Sequence, residues 1–211
     1  MDEHVMVELD RVVKRFGNVT VLDHVTSCFA RGQIHGIIGR NGSGKTVLLK
    51  TICGFLRPDE GTVRVDAKEV RFQAPQQNIG IIIEAPGFVP SLSGLKNLEM
   101  LASLRGVADR ESLRDVIRRV GLDPEDRKSV GKYSMGMCQR LGIAQAIMEK
   151  PELLILDEPM NGLDNRGVDD IRALLAGLKN DGTTILLASH NREDINILCD
   201  TVHEMDRGML Q

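Results

Sequence analysis

The eight residues Gly39–Thr46 constrain this chain more than any other stretch. They read G-R-N-G-S-G-K-T and match G-x-x-x-x-G-K-[ST] at every fixed position. The apolar run Ile34–Ile38 comes immediately before them, and a helical pattern, Lys45–Cys53, continues from them. The sequence therefore predicts a strand, a glycine loop and a helix N-terminus, an arrangement that binds phosphate groups through backbone N–H groups.

In a loop of this kind the lysine ammonium reaches the terminal phosphates of a nucleotide, and the next hydroxyl ligates Mg²⁺. A second candidate site follows the apolar run Leu153–Leu156, where Asp157 can hold Mg²⁺ and Glu158 points in a different direction. Without the glycine loop, these acids would equally be a surface pair before a proline turn. The predicted nucleotide-binding residues of the loop are Gly39, Arg40, Asn41, Gly42, Ser43, Gly44, Lys45, Thr46 and Val47.

The composition fits one globular domain. The 211 residues are 42% hydrophobic and 27% charged, which is ordinary for a globular protein. A net charge of −3 gives no positive footprint for nucleic acid. The longest apolar runs have four residues, whereas a membrane-spanning helix needs roughly 20. No signal peptide is predicted at the acidic N-terminus. The cysteines form no C-x-x-C pair, which predicts free thiols in a reducing compartment.

Strand and helix patterns alternate along the chain. Asp109 and Gly121 are placed to cap the ends of a helix over 110–120, and a second helical pattern covers 166–179. This alternation indicates βαβ units and a mostly parallel sheet, whereas the strand-rich first seventy residues indicate an antiparallel flank. Residues 86–150 predict helices without a strand. The predicted strands are Val5–Leu9, Val19–Leu22, Ile34–Ile38, Thr62–Val65, Ile79–Ile83, Leu153–Leu156 and Thr184–Ala188.

A third motif reads Y-S-M-G-M-C-Q-R-L from Tyr133 onward and precedes a predicted helix. Ser134 can donate to a phosphate and Gly136 permits close backbone approach, although Ser134 would also serve as an ordinary helix cap. The motif resembles the signature loop L-S-G-G-Q of ATP-binding cassette (ABC) proteins. The motif departs from that form at Tyr133, Met135 and Met137. With these departures it is similar to the signature of antibiotic- and lantibiotic-resistance ABC transporters.

The resemblance implies roles for further residues. Glu158 takes the position of the acid that polarises the attacking water, and His190 that of the switch histidine at the γ-phosphate; with Lys45 they form the implied catalytic set. Phe16 stands where ABC proteins keep an aromatic residue that stacks on adenine, and residues 160–164 stand where they have the D-loop. Taken alone, His190 would be a polar residue at a strand end and Phe16 a core residue.

Glu84 is a second departure from the common pattern, because most ABC ATPases carry glutamine at this position after the strand. Lantibiotic-immunity transporters are known for such an acidic E-loop. The resemblance implies that Glu84 joins Thr46 and Asp157 around Mg²⁺. The alternative is a solvated acid at a strand end.

The resemblance covers the whole chain and points to the bacitracin-resistance and lantibiotic-immunity type. It implies an α/β P-loop NTPase fold, with a RecA-like core and antiparallel flank over 1–86 and 151–211 and a helical subdomain over 87–150. ATP and Mg²⁺ would lie between two ATPase subunits arranged head to tail, either two copies or a pair with a sister subunit.

The same resemblance implies a separate membrane permease, which would dock near Phe88–Asn97. The chain would then lie in the cytoplasm, at the inner face of the cell membrane. Its implied function is ATP-driven export or removal of a peptide antibiotic, lantibiotic or similar amphipathic substrate, with no nucleic-acid partner.

Three other classes share parts of this motif set. A translation-factor ABC protein would carry two cassettes, whereas this chain has one glycine loop and one signature. A chromosome or DNA-repair ATPase would have a long coiled coil between these motifs, and a small-molecule P-loop kinase would lack the Ser134 loop. A neighbouring gene with several apolar segments would favour the transporter.

Overall fold

The computed structural model describes residues 4–74, 78–84, 86–104, 106 and 109–211. The strands are β1 (Val5–Phe16), β2 (Val19–Ala30), β3 (Ile34–Ile38), β4 (Glu60–Val65), β5 (Lys68–Glu69), β6 (Ile79–Ile82), β7 (Leu153–Asp157), β8 (Thr184–Ser189), β9 (Thr201–Asp206) and β10 (Met209–Leu210). The α-helices are α1 (Lys45–Ile52), α2 (Gly94–Ser103), α3 (Arg110–Arg119), α4 (Met135–Ile147), α5 (Asn165–Asn180) and α6 (Arg192–Leu198).

A mostly parallel sheet carries the glycine loop. Its strand order is β10-β9-β3-β8-β7-β6, in which β10 runs antiparallel to β9 and the other pairs are parallel. Leu154 and Leu156 of β7 pack into one apolar cluster, whereas Leu153 and Ile155 pack into a second cluster on the opposite face. This two-sided burial explains the continuous apolar run of β7 and confirms the predicted parallel sheet.

The predicted antiparallel flank is present as a second sheet with the order β2-β1-β4-β5. β1 and β2 extend well beyond their predicted ends at Leu9 and Leu22. Register shifts interrupt the pairing of these two strands, and Arg11 and His24 have positive φ angles of 47° and 48°. Because such shifts break the two-residue alternation, the prediction ended both strands too early.

Helices occupy the chain between β6 and β7, as the sequence predicts. The described residues of this segment form α2, α3, α4 and a short 3-10 helix (Val130–Lys132). Their β pairing is limited to one isolated bridge between Ser93 and Ser129. The carboxylate of Asp109 accepts a 2.8 Å hydrogen bond from the Ser112 N–H and caps α3. This contact confirms the predicted helix start.

The helical segment packs directly on the parallel sheet. A Cβ at Gly80 of β6 would overlap the carbonyl oxygen of Ala146, so the backbone of α4 touches the backbone of β6. One apolar cluster includes residues of α2, α3, α4, β7, β8 and α5. Since this cluster crosses the predicted boundaries, the division into 1–86, 87–150 and 151–211 stays a prediction.

Several elements near the C-terminal end were not predicted. β9 alternates exposed residues with half-buried or buried ones and carries His203 and Glu204, so it lacks the apolar run of the inner strands. α6 has seven residues, too few for a helical pattern to stand out. In the part of the chain that the structure describes, no helix is long and apolar enough to cross a lipid bilayer.

Candidate active site

The glycine loop connects β3 to α1, which is the strand, loop and helix arrangement that the sequence predicts. Gly44 caps the start of α1 with a φ of 113°, and a Cβ there would lie 2.9 Å from the carbonyl oxygen of Val21. A Cβ at Gly39 would overlap the carbonyl oxygen of Met205. Both positions therefore require glycine for the loop to curl tightly around the N-terminus of α1.

The ammonium of Lys45 lies inside this loop. Its Nζ donates to the carbonyl oxygens of Gly39 (2.7 Å) and Arg40 (3.4 Å), and 6% of the residue is exposed. A cavity of about 330 Å³ lies beside it. Its lining consists of Val21, Arg40, Asn41, Gly42, Gly44, Lys45, Thr46, Val47, Asp157 and Glu158.

The donors around this cavity fit an anionic phosphate chain. No side chain caps the N-terminus of α1, so its first N–H groups remain available to a ligand. The buried Oγ of Ser43 has no hydrogen-bond partner among the described residues. Together with the Lys45 ammonium, these groups supply positive potential and unused donors at one end of α1. Nucleotide binding by the residues of the loop is a prediction that this chemistry supports.

Thr46 and Asp157 meet at the C-terminal end of β7, an inner strand of the parallel sheet. The Thr46 hydroxyl donates a 2.6 Å hydrogen bond to Oδ2 of Asp157. Burial raises the pKa of the Asp157 carboxyl, the negative charges of Glu158 and Glu84 raise it further, and the Thr46 hydrogen bond and the Lys45 charge oppose the rise. The charged form of this carboxyl is therefore destabilised, and a nearby cation would stabilise it.

The pair also fits Mg²⁺ in its chemistry, because a hydroxyl and a carboxylate are hard oxygen donors. In the described ranges, no three His, Cys, Asp or Glu side chains are grouped to hold a metal by themselves. The role of Thr46 and Asp157 as Mg²⁺ ligands stays a prediction, in which nucleotide phosphates and water would complete the coordination.

Glu84 lies near this site but contacts another partner. Its Oε1 is 2.6 Å from Nζ of Lys50, and 67% of its side chain is exposed. Lys50 follows Thr46 by one helical turn on the same face of α1, so Glu84 reaches the helix that carries Thr46. The role of Glu84 as a Mg²⁺ ligand stays a prediction.

Glu158 and His190 are brought together by the neighbouring strands β7 and β8. Nδ1 of His190 lies 2.9 Å from Oε2 of Glu158, and the Ser189 hydroxyl donates to the same oxygen over 3.3 Å. Glu158 has a left-handed φ of 51°, and its N–H donates to the carbonyl oxygen of Ala188. The carboxylate is thus fixed at the rim of the phosphate cavity, where both residues are predicted to serve hydrolysis.

The signature residues stand apart from the cavity. Ser134 caps α4 by accepting a 3.2 Å hydrogen bond from the Met137 N–H. A Cβ at Gly136 would lie 2.8 Å from the carbonyl oxygen of Gly162, so the start of α4 packs on the D-loop. Within the described residues, neither Ser134 nor Gly136 lines the phosphate cavity of its own chain.

Phe16 ends β1 opposite Val19, on the hairpin whose second strand contributes Val21 to the cavity. The ring is 48% exposed, and Nζ of Lys14 lies 5.5 Å from its centroid. An exposed aromatic side chain at this place excludes the core alternative and keeps stacking on adenine as the prediction.

Three further residues contact predicted site residues, although no role was predicted for them: Lys50, Ser189 and Gln139. Lys50 could have been found from its spacing of one helical turn from Thr46. Ser189 precedes His190 directly. Gln139 lies in the signature motif, but its contact with the Glu158 turn follows from the packing of α4 and has no signal in the local pattern.

Proteins of known family are similar to this chain in sequence. Residues 22–161 match the family model described as ABC transporter. The chain is 41% identical over 208 residues to the bacitracin transport ATP-binding protein BcrA of Enterococcus faecalis, covering 97% of this chain and 68% of the relative. It is 39% identical to the ABC transporter ATP-binding protein YybJ of Bacillus subtilis, covering 98% and 95%. It is 32% identical to the lantibiotic transport ATP-binding protein SrtF of Streptococcus pyogenes, covering 97% and 89%.

Solved structures show the same fold. A nucleotide-free ATP-binding cassette from an ABC transporter superposes with a TM-score of 0.85 at 26% identity, covering 98% of this chain and 89% of that one. The dimeric cassette MJ0796 in a post-hydrolysis state has a TM-score of 0.88 at 24% identity, covering 98% and 97%. The predicted α/β P-loop NTPase fold is confirmed. The chain belongs to the ABC transporter family and is an ATP-hydrolysing, ATP-binding subunit of that family.

Proposed function

We propose that this ATPase powers export or removal of a peptide antibiotic, lantibiotic or similar amphipathic substrate through a separate membrane permease. The names of the relatives BcrA and SrtF support the substrate class, because they are bacitracin and lantibiotic transport proteins. The net charge of −3 agrees with a partner other than nucleic acid. In this role the chain works in the cytoplasm, at the inner face of the membrane.

The position of the signature outside the lining of the phosphate cavity supports an ATP-driven step that involves two subunits. Gly136 packs on Gly162 of the D-loop, and the described residues that line the cavity come from the glycine loop, Val21, Asp157 and Glu158, without Ser134 or Gly136. A signature that does not line the phosphate cavity of its own chain is available to the nucleotide of a second subunit. We therefore expect ATP to bind between two subunits arranged head to tail, each contributing a signature to the other.

In this arrangement the loop amides and Lys45 hold the phosphates. Thr46, Asp157 and Glu84 would hold Mg²⁺, which offsets the phosphate charge when it is bound. Glu158 would take the proton of the attacking water, and His190, in contact with Glu158, would face the γ-phosphate. Phe16 would stack on adenine. Positioning and charge stabilisation account for most of the catalysis expected of such a site.

A groove beside β6 is the expected docking place for the permease. It has a volume of about 540 Å³ and lies between β6 and helices α2 and α4. The groove has apolar walls that include Phe55, Pro86, Leu101 and Leu104, and Glu84 is also among its lining residues. The groove is lined by Gly87, which precedes the predicted docking segment Phe88–Asn97, and by Leu101 of α2, whereas the residues of that segment do not line it. A cytoplasmic helix of the permease with an apolar face would fit it.

Co-purification with a candidate permease, meaning a protein with several apolar segments that a neighbouring gene encodes, tests the proposal. The reconstituted pair should hydrolyse ATP faster when bacitracin or a lantibiotic is added. Leu104→Glu should prevent co-purification, because Leu104 is 80% exposed and the change places a charge on the apolar wall of the groove. Ile197→Glu is the matched control, since Ile197 is also exposed (57%) but lies on α6, away from the groove. A permease that binds both variants equally, or ATPase activity indifferent to both peptides, would contradict the proposal.

A further inference from the structure

The side chain of Gln139 connects α4, the helix that begins at the signature, to the turn that carries Glu158. Its Nε2 donates to the carbonyl oxygen of Pro159 over 3.0 Å, and the carbonyl oxygen of Glu158 lies 3.5 Å from the same atom. Gln139 is part-buried at this contact, and 20 residues separate it from Pro159. One side-chain amide of α4 therefore faces two consecutive carbonyl groups at the end of β7.

This turn needs support because its backbone is unusual. Glu158 has a φ of 51°, a left-handed conformation that non-glycine residues seldom adopt. Its N–H is held by Ala188 (2.9 Å), and its carbonyl oxygen accepts from the Asn161 N–H (3.2 Å). Pro159 has no N–H, so its carbonyl is the one backbone group through which a hydrogen bond can fix it.

We propose that Gln139 is a positioning residue for ATP hydrolysis, which fixes the Glu158–Pro159 turn and so holds the Glu158 carboxylate against His190. The inference rests on the role proposed for Glu158. Gln139 also lies on the same helix as Ser134, which caps the start of α4. Because an α-helix is stiff over this length, a displacement of Ser134 by the nucleotide of a second subunit would move Gln139 and, through it, the turn.

Gln139→Met in the full chain tests the contact, since methionine has a similar length and no N–H donor. Turnover should fall roughly three- to tenfold, the effect of losing one part-buried hydrogen bond. The KM for ATP should stay within about twofold, because Gln139 is not among the residues around the phosphate cavity. Gln139→Glu should lower turnover further, because it turns a carboxylate oxygen toward two carbonyl oxygens.

Gln33→Met is the matched control. It makes the same chemical change just before β3, at the opposite end of that strand from the glycine loop, and should keep wild-type turnover. If Gln139→Met does not fold, Gln139→Asn replaces it, because asparagine keeps the amide but is too short to reach Pro159. Wild-type turnover in a folded Gln139 variant would overturn the inference.

A double variant separates positioning from a general structural effect. If Gln139 acts through Glu158, adding Gln139→Met to Glu158→Gln should change the residual rate by less than about twofold. A multiplicative loss in the double variant would overturn the inference alone. Wild-type turnover in Glu158→Gln itself would instead remove the proposed role of Glu158, and this inference with it.

Discussion

The hydroxyl of Thr46 and the carboxylate of Asp157 are joined by a 2.6 Å hydrogen bond, although 111 residues separate them along the chain. The bond links the first turn of α1 to the end of β7, two elements on which different motifs lie. Burial raises the pKa of this carboxyl, so its charged form is maintained at a cost to the folded state.

Asp157→Asn should stabilise the fold, because it removes a buried charge. It should also abolish Mg²⁺-dependent hydrolysis, because Asp157 is a predicted Mg²⁺ ligand. Because the folded-state pKa of Asp157 is raised, the native protein loses stability as pH rises through that pKa, and asparagine does not titrate. The variant should melt at a higher temperature than wild type at pH 8, and the difference should shrink toward pH 4. Thermal melts without Mg²⁺ and nucleotide measure this. A variant less stable than wild type at pH 8 would contradict the prediction.

Glu158→Gln should bind ATP but hydrolyse it roughly 10²–10⁴-fold more slowly, the usual contribution of a positioned general base. It should also accumulate as an ATP-bound dimer, which size-exclusion chromatography with Mg-free ATP detects. Glu152→Gln, which changes an acid next to the other end of β7, is the control and should behave as wild type. A Glu158→Gln protein that stays monomeric at high concentration, while wild type dimerises, would count against the role of Glu158.

Ser134→Arg should stop hydrolysis with little change in the ATP affinity of the isolated subunit, because Ser134 is expected to act on the nucleotide of the second subunit. Mixing it with Lys45→Ala should restore activity through one intact site in each mixed dimer. As a control, Lys45→Ala mixed with the double variant Ser134→Arg/Lys45→Ala should stay inactive. Equal activity in the two mixtures would argue against sites shared between subunits.

Glu84→Gln should raise the Mg²⁺ concentration needed for half-maximal ATPase activity, because a carboxylate is a stronger ligand than an amide for a hard cation. Lys50→Met should lower that concentration, since Lys50 competes for the Glu84 carboxylate at 2.6 Å. Glu125→Gln, a distant exposed acid, is the control. Unchanged Mg²⁺ dependence in Glu84→Gln would make Glu84 a solvated acid at a strand end.

The contribution of His35 and His203 to the free energy of unfolding should fall as pH drops below about 6.5, the usual pKa of histidine. Burial lowers the pKa values of His35 and His203, which share Thr201 as a hydrogen-bond partner. The unfolded chain therefore binds more protons than the folded chain at mildly acidic pH, so folding weakens there. Urea unfolding at pH 7.5 and 5.5 measures the loss, and His203→Gln should reduce it.

Local motifs determined how much of the fold and the site was predictable. The glycine loop and the run before Asp157 identify a strand end by themselves, so the core of the site followed from short stretches of sequence. The ion pair between Glu84 and Lys50 and the contact between Gln139 and Pro159 join distant segments, and they depend on how α1, β6 and α4 pack. β9 was missed for a similar reason, because it is defined by its pairing with β3 rather than by an apolar run.

The position of β3 also sets the order in which this protein can be completed during synthesis. β3 lies between β8 and β9, so both of its partners come from residues 184–206. While the ribosome is still translating that region, the strand that leads into the glycine loop has two unpaired edges. We therefore expect the nascent chain to pair the strands of its antiparallel flank, β1, β2, β4 and β5, early. The glycine loop should become ordered enough to bind phosphate only after β9 has been translated. ATP binding to ribosome-bound chains would report that moment.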